Sequence, residues 1–213
     1  MRTKLASSFS QSIPLRWGVC LILLISLFFC FFSGFKYFTS PCIKKNYHSP
    51  KTFIVIGGVS DPLNCELYDV VKSIFPSSNI YFFHWFQTSN ISETIKELGP
   101  EERFFIIAHS WGGKTALEIA QKNASKVICL ITLDPVSFIE PSYRYDHKWI
   151  NIVPQYSKIT FANLAAYFGH RWQNCQHAIN ITLPGEHDSL FAMFLARDKN
   201  GSSLEDMILR ISP

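Results

Sequence analysis

Residues 104–120 read FFIIAHSWGGKTALEIA, and this stretch decides the fold. Residues 104–108 are apolar throughout, which is typical of a strand covered on both faces. Residues 116–122 are helix formers, and their apolar side chains are spaced for burial on one face. Because so few residues separate the two elements, Ser110 must lie on a very tight turn from strand to helix. Small residues flank this serine and let the backbone turn sharply: Ala108, Gly112 and Gly113.

The turn has the small-x-Ser-x-Gly pattern of a nucleophile elbow, with Ala108 where glycine is usual. A serine held on such a turn is exposed at the end of the sheet. The helix N-terminus behind it favours developing negative charge. The alternative is a tight turn whose serine only caps the helix. Partners for Ser110 elsewhere in the chain decide between these two interpretations.

Strand and helix patterns alternate along the rest of the chain. Strands are predicted at residues 52–56, 80–85, 104–108, 126–133, 149–153 and 178–183. Helices are predicted at residues 63–75, 92–98, after Ser110 and at 203–211, where Ser203 and Asp206 are spaced as a capping box. This alternation predicts an α/β fold, with a mostly parallel sheet and helices on both faces.

In such a sheet, functional side chains gather at the carboxyl ends of the strands. Ser110 follows the third predicted strand, Asp134 follows the fourth in the run TLDPV, and His187 follows the last in PGEHDSL. They supply a nucleophile, an acid and a base, in the chain order of a hydrolase triad on this architecture. Pro135 should keep Asp134 extended at the strand tip, because proline disfavours helix at the preceding residue.

Other residues compete for these roles. Asp188 directly follows His187 and would struggle to reach its ring, and Asp146 lies in a polar loop with no strand to place it. The alternative for His187 is an ordinary loop histidine. His109 is adjacent to Ser110 and should point away from it, in a packing or surface role.

The motifs AHSWGG, LDP and the histidine after the final strand together resemble those of the α/β-hydrolase superfamily. The closest likeness in outline is to small lipase-like and esterase-like members, and it covers residues 50–213. The sequence departs from the family at Ala108 and begins at what would be the family's third strand. The resemblance implies a serine hydrolase that works through an acyl-enzyme, with Ser110 as nucleophile, His187 as base and Asp134 as acid, and without a metal or cofactor.

The resemblance also implies an oxyanion hole built from two backbone N–H groups. One belongs to Trp111, and the other to Gly58 or Val59 in the loop GGVSD. The chain between residues 149 and 180 has room only for a small helical flap, so we expect no full lid domain. Phe138 and Trp172 are expected to border a shallow, apolar site suited to an acyl chain.

The apolar run at residues 17–35 is uncharged and has about the length that crosses a bilayer. We therefore expect a basic tail at 1–16, a transmembrane anchor or signal segment at 17–35, a connector at 36–51 and the hydrolase domain at 52–213. An anchor is favoured because no Ala-x-Ala-like cleavage site follows the run. Basic residues are balanced on its two sides. The large C-terminal domain is expected on the non-cytosolic side because a short tail can stay in the cytosol.

The formal net charge of +4 belongs to the N-terminal segment, since residues 1–45 hold six basic residues and no acidic residue. The remaining chain holds more acids than bases, which excludes a basic stripe for nucleic acid.

The cysteines lack Cys-x-x-Cys spacing, so no zinc site is predicted. The expected partners are a small-molecule or lipid acyl ester and a membrane. A catalytically silent binding module and an acyltransferase with the same triad remain as alternatives, and the sequence does not determine the oligomeric state.

Overall fold

The computed structural model describes residues 42–44, 51–59, 65–139 and 145–211. All of these residues lie within one unit, Pro41–Pro213. The predicted membrane segment at 17–35 lies outside the described residues. Among the helices of the described part, none is both long and apolar enough to cross a bilayer.

Nine strands and six helices are present in the described residues. The strands are β1 Cys42–Lys44, β2 Thr52–Gly57, β3 Asn79–His84, β4 Phe104–His109, β5 Val127–Leu133, β6 Val136–Ser137, β7 Trp149–Gln155, β8 His170–Arg171 and β9 Ile179–Pro184. The helices are α1 Glu66–Ile74, α2 Thr88–Glu97, α3 Gly112–Lys122, α4 Phe161–Tyr167, α5 Leu190–Leu195 and α6 Leu204–Arg210.

The main sheet has seven strands in the order β1-β3-β2-β4-β5-β7-β9. Strand β1 is antiparallel to β3, and every other neighbouring pair is parallel. The α/β fold with a mostly parallel sheet is thus confirmed. All parallel strands end at one edge, and this edge carries Ser110, Asp134 and His187.

Helices cover both faces of the sheet, as predicted. Alternating strand residues such as Phe53 and Val55 join one apolar core with α1, α5 and α6. Their neighbours Ile54 and Ile56 join a second core with α2 and α3. Burial on both faces explains why these strands read as continuous apolar runs.

Short elements depart from the predicted pattern. Strand β1 lies within residues 36–51, which were expected to be a connector, and β6 pairs with β8 in a two-stranded ribbon. Helix α5 also was not predicted. Elements this short carry too few residues to show a hydrophobic period. At the C-terminal helix, Ser203 and Asp206 do form the predicted capping box.

Candidate active site

Ser110 lies on a tight turn between β4 and α3, with a φ of 54°. This left-handed conformation is uncommon for a residue with a side chain. The turn is held by main-chain bonds: the N–H of Ser110 donates to Leu133 O at 3.1 Å, and its carbonyl accepts from Gly113 N and Val136 N. Gly112 is required here, because a Cβ at that position would lie 2.5 Å from the carbonyl oxygen of Ile56.

The structure brings Ser110, His187 and Asp134 together at the sheet edge. Nε2 of His187 lies 2.8 Å from Oγ of Ser110, and Nδ1 of His187 lies 2.6 Å from Oδ2 of Asp134. All three side chains are buried, and Asp134 is 0% exposed. The competing acids Asp146 and Asp188 are exposed instead. The arrangement can move a proton from a serine hydroxyl to an imidazole that a carboxylate orients.

The backbone of Asp134 differs from the expectation of an extended strand tip. Its φ is 41°, in the left-handed region, so the expectation based on Pro135 was wrong. The chain must turn sharply after β5, because Val136 N donates to the carbonyl of Ser110. Aspartate is one of the residue types that enter this region most readily.

Two further side chains hold Asp134, and neither was predicted from the sequence. Arg171 on β8 donates from Nε at 2.9 Å and from Nη2 at 2.7 Å to Oδ1 of Asp134. The hydroxyl of Tyr156, directly after β7, donates to Oδ2 and lies 3.1 Å from Nδ1 of His187. Tyr156 directly follows β7, and this strand-end position could have indicated it. The strand was predicted to end at residue 153, so the position was not recognised. Arg171 gave no sequence signal, because a two-residue strand shows no pattern.

The surroundings of Asp134 favour its ionised form. Burial alone would raise the pKa of this carboxyl group. The hydrogen bond to His187, the charge that His187 carries when protonated, the positive charge of Arg171 and the hydrogen bond from Tyr156 outweigh burial. Together they hold the pKa of Asp134 below its usual 3.8. Burial and the nearby Asp134 carboxylate raise the pKa of Tyr156, so its phenol keeps the proton that it donates.

The surroundings of His187 favour its neutral form. Burial is the largest influence and lowers the pKa of the imidazole below its usual 6.5. The hydrogen bond with Asp134 opposes this change, and the charges of His109 and Arg171 add to it. A neutral imidazole at Nε2 is the form that can accept the proton of Ser110.

Trp111 and Gly58 lie beside Ser110, where an oxyanion hole was expected. Trp111 caps the N-terminus of α3, where main-chain N–H groups point out of the helix. A Cβ at Gly58 would lie 2.6 Å from Cβ and 3.2 Å from Oγ of Ser110, so this backbone is very close to the serine. Val59 follows it and is half-buried.

The two residues expected to border the substrate site occupy very different places. Phe138 is 81% exposed, and its ring lies 4.5 Å from that of Trp111. Trp172 is only 1% exposed, so the expectation that it borders the site was wrong. Its Nε1 donates to Oγ of Ser137 at 2.8 Å, and its main-chain N–H donates to the carbonyl of Pro135. Trp172 thus anchors the β6–β8 ribbon that presents Arg171.

The loop that carries His187 is tied to helix α4. The N–H of His187 donates to Oδ1 of Asn163 at 2.8 Å. The side-chain amide of Asn163, which is fully buried, donates to the carbonyl of Lys158 and to Glu186. Helix α4 lies where the small flap was predicted. The role of Asn163 was not predicted, since a lone asparagine in a helix gives no signal of its partner.

Known proteins resemble this chain in family and fold. A family model described as alpha/beta hydrolase fold matches residues 58–210. No curated protein matches the chain. Est1E from Butyrivibrio proteoclasticus, in its structure with ferulic acid, has a TM-score of 0.53 and 10% identity, over 81% of this chain and 94% of that chain.

Two further solved structures show weaker likeness. The thioesterase domain from the curacin biosynthetic pathway has a TM-score of 0.38 and 18% identity, over 48% of this chain and 44% of that chain. This chain thus spans less than half of that domain. Proline iminopeptidase from Mycobacterium smegmatis has a TM-score of 0.37 and 13% identity, over 46% of this chain and 40% of that chain. At these identities, a likeness speaks only to the fold.

Proposed function

Because the chain belongs to the α/β-hydrolase fold family, whose model covers residues 58–210, we propose that it is a serine hydrolase of carboxylic esters or thioesters. The single observation that carries the proposal is the hydrogen-bonded chain from Ser110 through His187 to Asp134. The link between the nucleophile and its base measures 2.8 Å, and the link between the base and its orienting carboxylate measures 2.6 Å; both lie within hydrogen-bond range. A serine that only caps a helix has no need of these partners.

In the proposed reaction, Nε2 of His187 takes the proton of Ser110 as Oγ attacks the acyl carbonyl. The bond from the acyl carbon to the leaving oxygen or sulfur then breaks, and the leaving group takes the proton from His187. Water, deprotonated by the same imidazole, then attacks the acyl-enzyme. The bond from the acyl carbon to Oγ of Ser110 breaks, Oγ takes the proton from His187, and the acid is released. Asp134 stays ionised, keeps the proton of the neutral imidazole on Nδ1 and stabilises the imidazolium that forms.

Backbone N–H groups are proposed to stabilise the oxyanion. Trp111 supplies one from the start of α3, and Gly58 or Val59 supplies the other from the end of β2. The close approach of Gly58 to Ser110 supports this role. No side chain could replace the hydrogen at that position without contacting the serine.

An apolar acyl group is the substrate class that we propose for the site. The rings of Trp111 and Phe138 pack against each other beside the serine, and Phe138 is largely exposed. Trp85 continues this aromatic surface, with its ring 6.3 Å from that of Trp111. Aromatic walls with few polar groups suit apolar portions of a ligand.

The experiment that tests the activity uses the full chain, purified in detergent and treated with a fluorophosphonate probe. We expect the probe to modify Ser110, as mapped by mass spectrometry, and Ser110→Ala to abolish both labelling and hydrolysis of short acyl esters. Ser73→Ala, at an exposed position on α1, is the matched control and should behave as the parent. Labelling that persists in Ser110→Ala would contradict the assignment.

We also propose that the chain is tethered to a membrane through residues 17–35, with the hydrolase domain on the non-cytosolic side. The length and apolar character of that run support the tether. Carbonate extraction and protease access to a C-terminal tag in sealed vesicles test the two parts. Release of a mature protein that begins just after the run would contradict the tether. A tag cleaved only from the cytosolic side would contradict the orientation.

A further inference from the structure

The carboxylate of Asp134 has more partners than its role beside His187 requires. We propose that Arg171 and Tyr156 form a positioning pair that fixes this carboxylate and, through it, holds His187 in the state that accepts the proton of Ser110. The inference rests on the proposed function, because it concerns the same three residues. It adds two residues that act through Asp134.

Arg171 fixes one oxygen of Asp134. Its Nε and Nη2 both donate to Oδ1, at 2.9 and 2.7 Å, and Nη2 also donates to the carbonyl of Pro154 at 2.7 Å. The guanidinium thus joins the ends of β5 and β7, and its side chain is 11% exposed. A planar fork that bonds a carboxylate and a backbone carbonyl leaves the carboxylate little rotational freedom. Oδ2 is thereby directed towards His187.

Tyr156 fixes the other oxygen. Its hydroxyl donates to Oδ2, which is also the acceptor for Nδ1–H of His187. The ring of Tyr156 lies under the guanidinium of Arg171, with Cζ 3.7 Å from the ring centroid. This cation–π contact makes each member of the pair hold the other in place.

Arg171 and Tyr156 also change the electrostatic potential at His187. The groups that face the imidazole are Asp134 from the end of β5, Arg171 from β8, Tyr156 from the end of β7, and His109 and Ser110 from the end of β4. Asp134 is the anion among these groups, and Arg171 carries a charge at every accessible pH. The guanidinium cancels part of the attraction that Asp134 exerts on a proton at His187. Burial of the imidazole acts in the same direction, so both effects lower the pKa of His187.

The test uses the full chain and measures the titration midpoint of the His187 imidazole by two methods. One is the acid limb of kcat/KM against pH, and the other is the imidazole NMR titration in the Ser110→Ala background, which requires no activity. Arg171→Gln removes the charge and should raise both midpoints by about one pH unit. Arg171→Lys keeps the charge but loses the fork, so the midpoint should stay near that of the parent while kcat falls. Arg103→Gln, exposed at the opposite end of β4, is the control and should change nothing.

Unchanged midpoints in Arg171→Gln, with a lower Tm alone, would show that Arg171 only supports the fold and would overturn the proposal. If Arg171→Gln does not fold, Tyr156→Phe decides. This variant keeps the ring under Arg171 but frees Oδ2 from a competing donor, so the midpoint should rise by a smaller amount. An unchanged midpoint in Tyr156→Phe then overturns the proposal. If the probe does not label the parent chain, the proposed function is contradicted. The NMR titration midpoints can still be measured in that case, so the positioning role is tested separately.

Discussion

His109 lies directly behind His187, and its Nε2 is 2.9 Å from the carbonyl oxygen of His187. The two rings are 4.7 Å apart, and both side chains are buried. A carbonyl can only accept, so this bond requires the proton of His109 on Nε2. His109, the residue before Ser110, thus supports the main chain of His187, whose ring is hydrogen-bonded to Ser110.

We expect His109→Ala to lower turnover, because His187 loses both a packing surface and a main-chain hydrogen bond. The lost bond leaves a buried carbonyl without this donor, which costs about 1–3 kcal/mol in the free energy of unfolding. His109→Gln is the matched variant, since its amide can donate at a similar position, and it should recover much of the turnover. Ester hydrolysis and Tm measure the two effects. Equal loss of turnover in Ala and Gln variants would show that this donor is not what positions His187.

Asp134→Asn should reduce kcat by about 10⁴-fold, as the equivalent change does in serine proteases. An amide cannot stabilise the imidazolium, and its NH₂ group would face either Arg171 or His187. Asp146→Asn is the matched control at an exposed position and should leave kcat unchanged. Stopped assays at saturating ester compare the two variants. Should Asp146→Asn prove the damaging change, the acid has been misassigned.

The rate should rise with pH and reach half of its maximum below pH 6.5. His187 must be neutral to accept the proton of Ser110, and burial lowers the pKa of this imidazole below its usual value. Neither the burial of His187 nor the nearby charge of Arg171 could be seen in the sequence. A profile of kcat/KM against pH measures the midpoint. A half-maximal rate well above pH 6.5 would contradict the environment that the structure gives His187.

Gly58→Ala should reduce kcat by about 100-fold or more, with substrate binding less affected. The added methyl group would lie 2.6 Å from Cβ of Ser110 and 3.2 Å from the carbonyl of His109. The backbone at Gly58 must therefore move, and the proposed donor to the oxyanion moves with it. Gly99→Ala is the control, because a Cβ there meets nothing within 4 Å. If both variants keep the parent kcat, Gly58 contributes nothing to the oxyanion hole.

The sequence predicted those parts of the molecule that depend on long, regular elements. Ser110, Asp134 and His187 each follow a strand of the parallel sheet, and parallel strands bring their ends together. Arg171 could not be found in this way, since its strand has two residues and exists because Trp172 is buried beneath it. The same long-range packing explains the error at Trp172, whose aromatic character alone fits a pocket wall as well as a core.

Asn163 holds the loop that carries His187, and this role could not be predicted from the sequence. Its Oδ1 accepts from the N–H of His187, while its amide donates to Lys158 O and to Glu186. Asn163→Asp keeps the acceptor but places a second carboxylate against Glu186. Repulsion should displace the loop that carries His187 and lower kcat by about 100-fold, because small misplacements of a catalytic group have effects of this size.

Glu186→Gln removes the repulsion, so the double variant Asn163→Asp/Glu186→Gln should recover part of the lost kcat. Glu186→Gln by itself is the control. It keeps one oxygen, at the position of Oε2, that can accept from the amide of Asn163. Its NH₂ group then faces the hydroxyl of Ser157, which can accept from it and lies 2.7 Å from Oε1 in the parent. Ester hydrolysis of the four proteins forms a double-mutant cycle that isolates the coupling. Additive losses would show that Glu186 and Asn163 act independently, and that helix α4 does not position His187 through them.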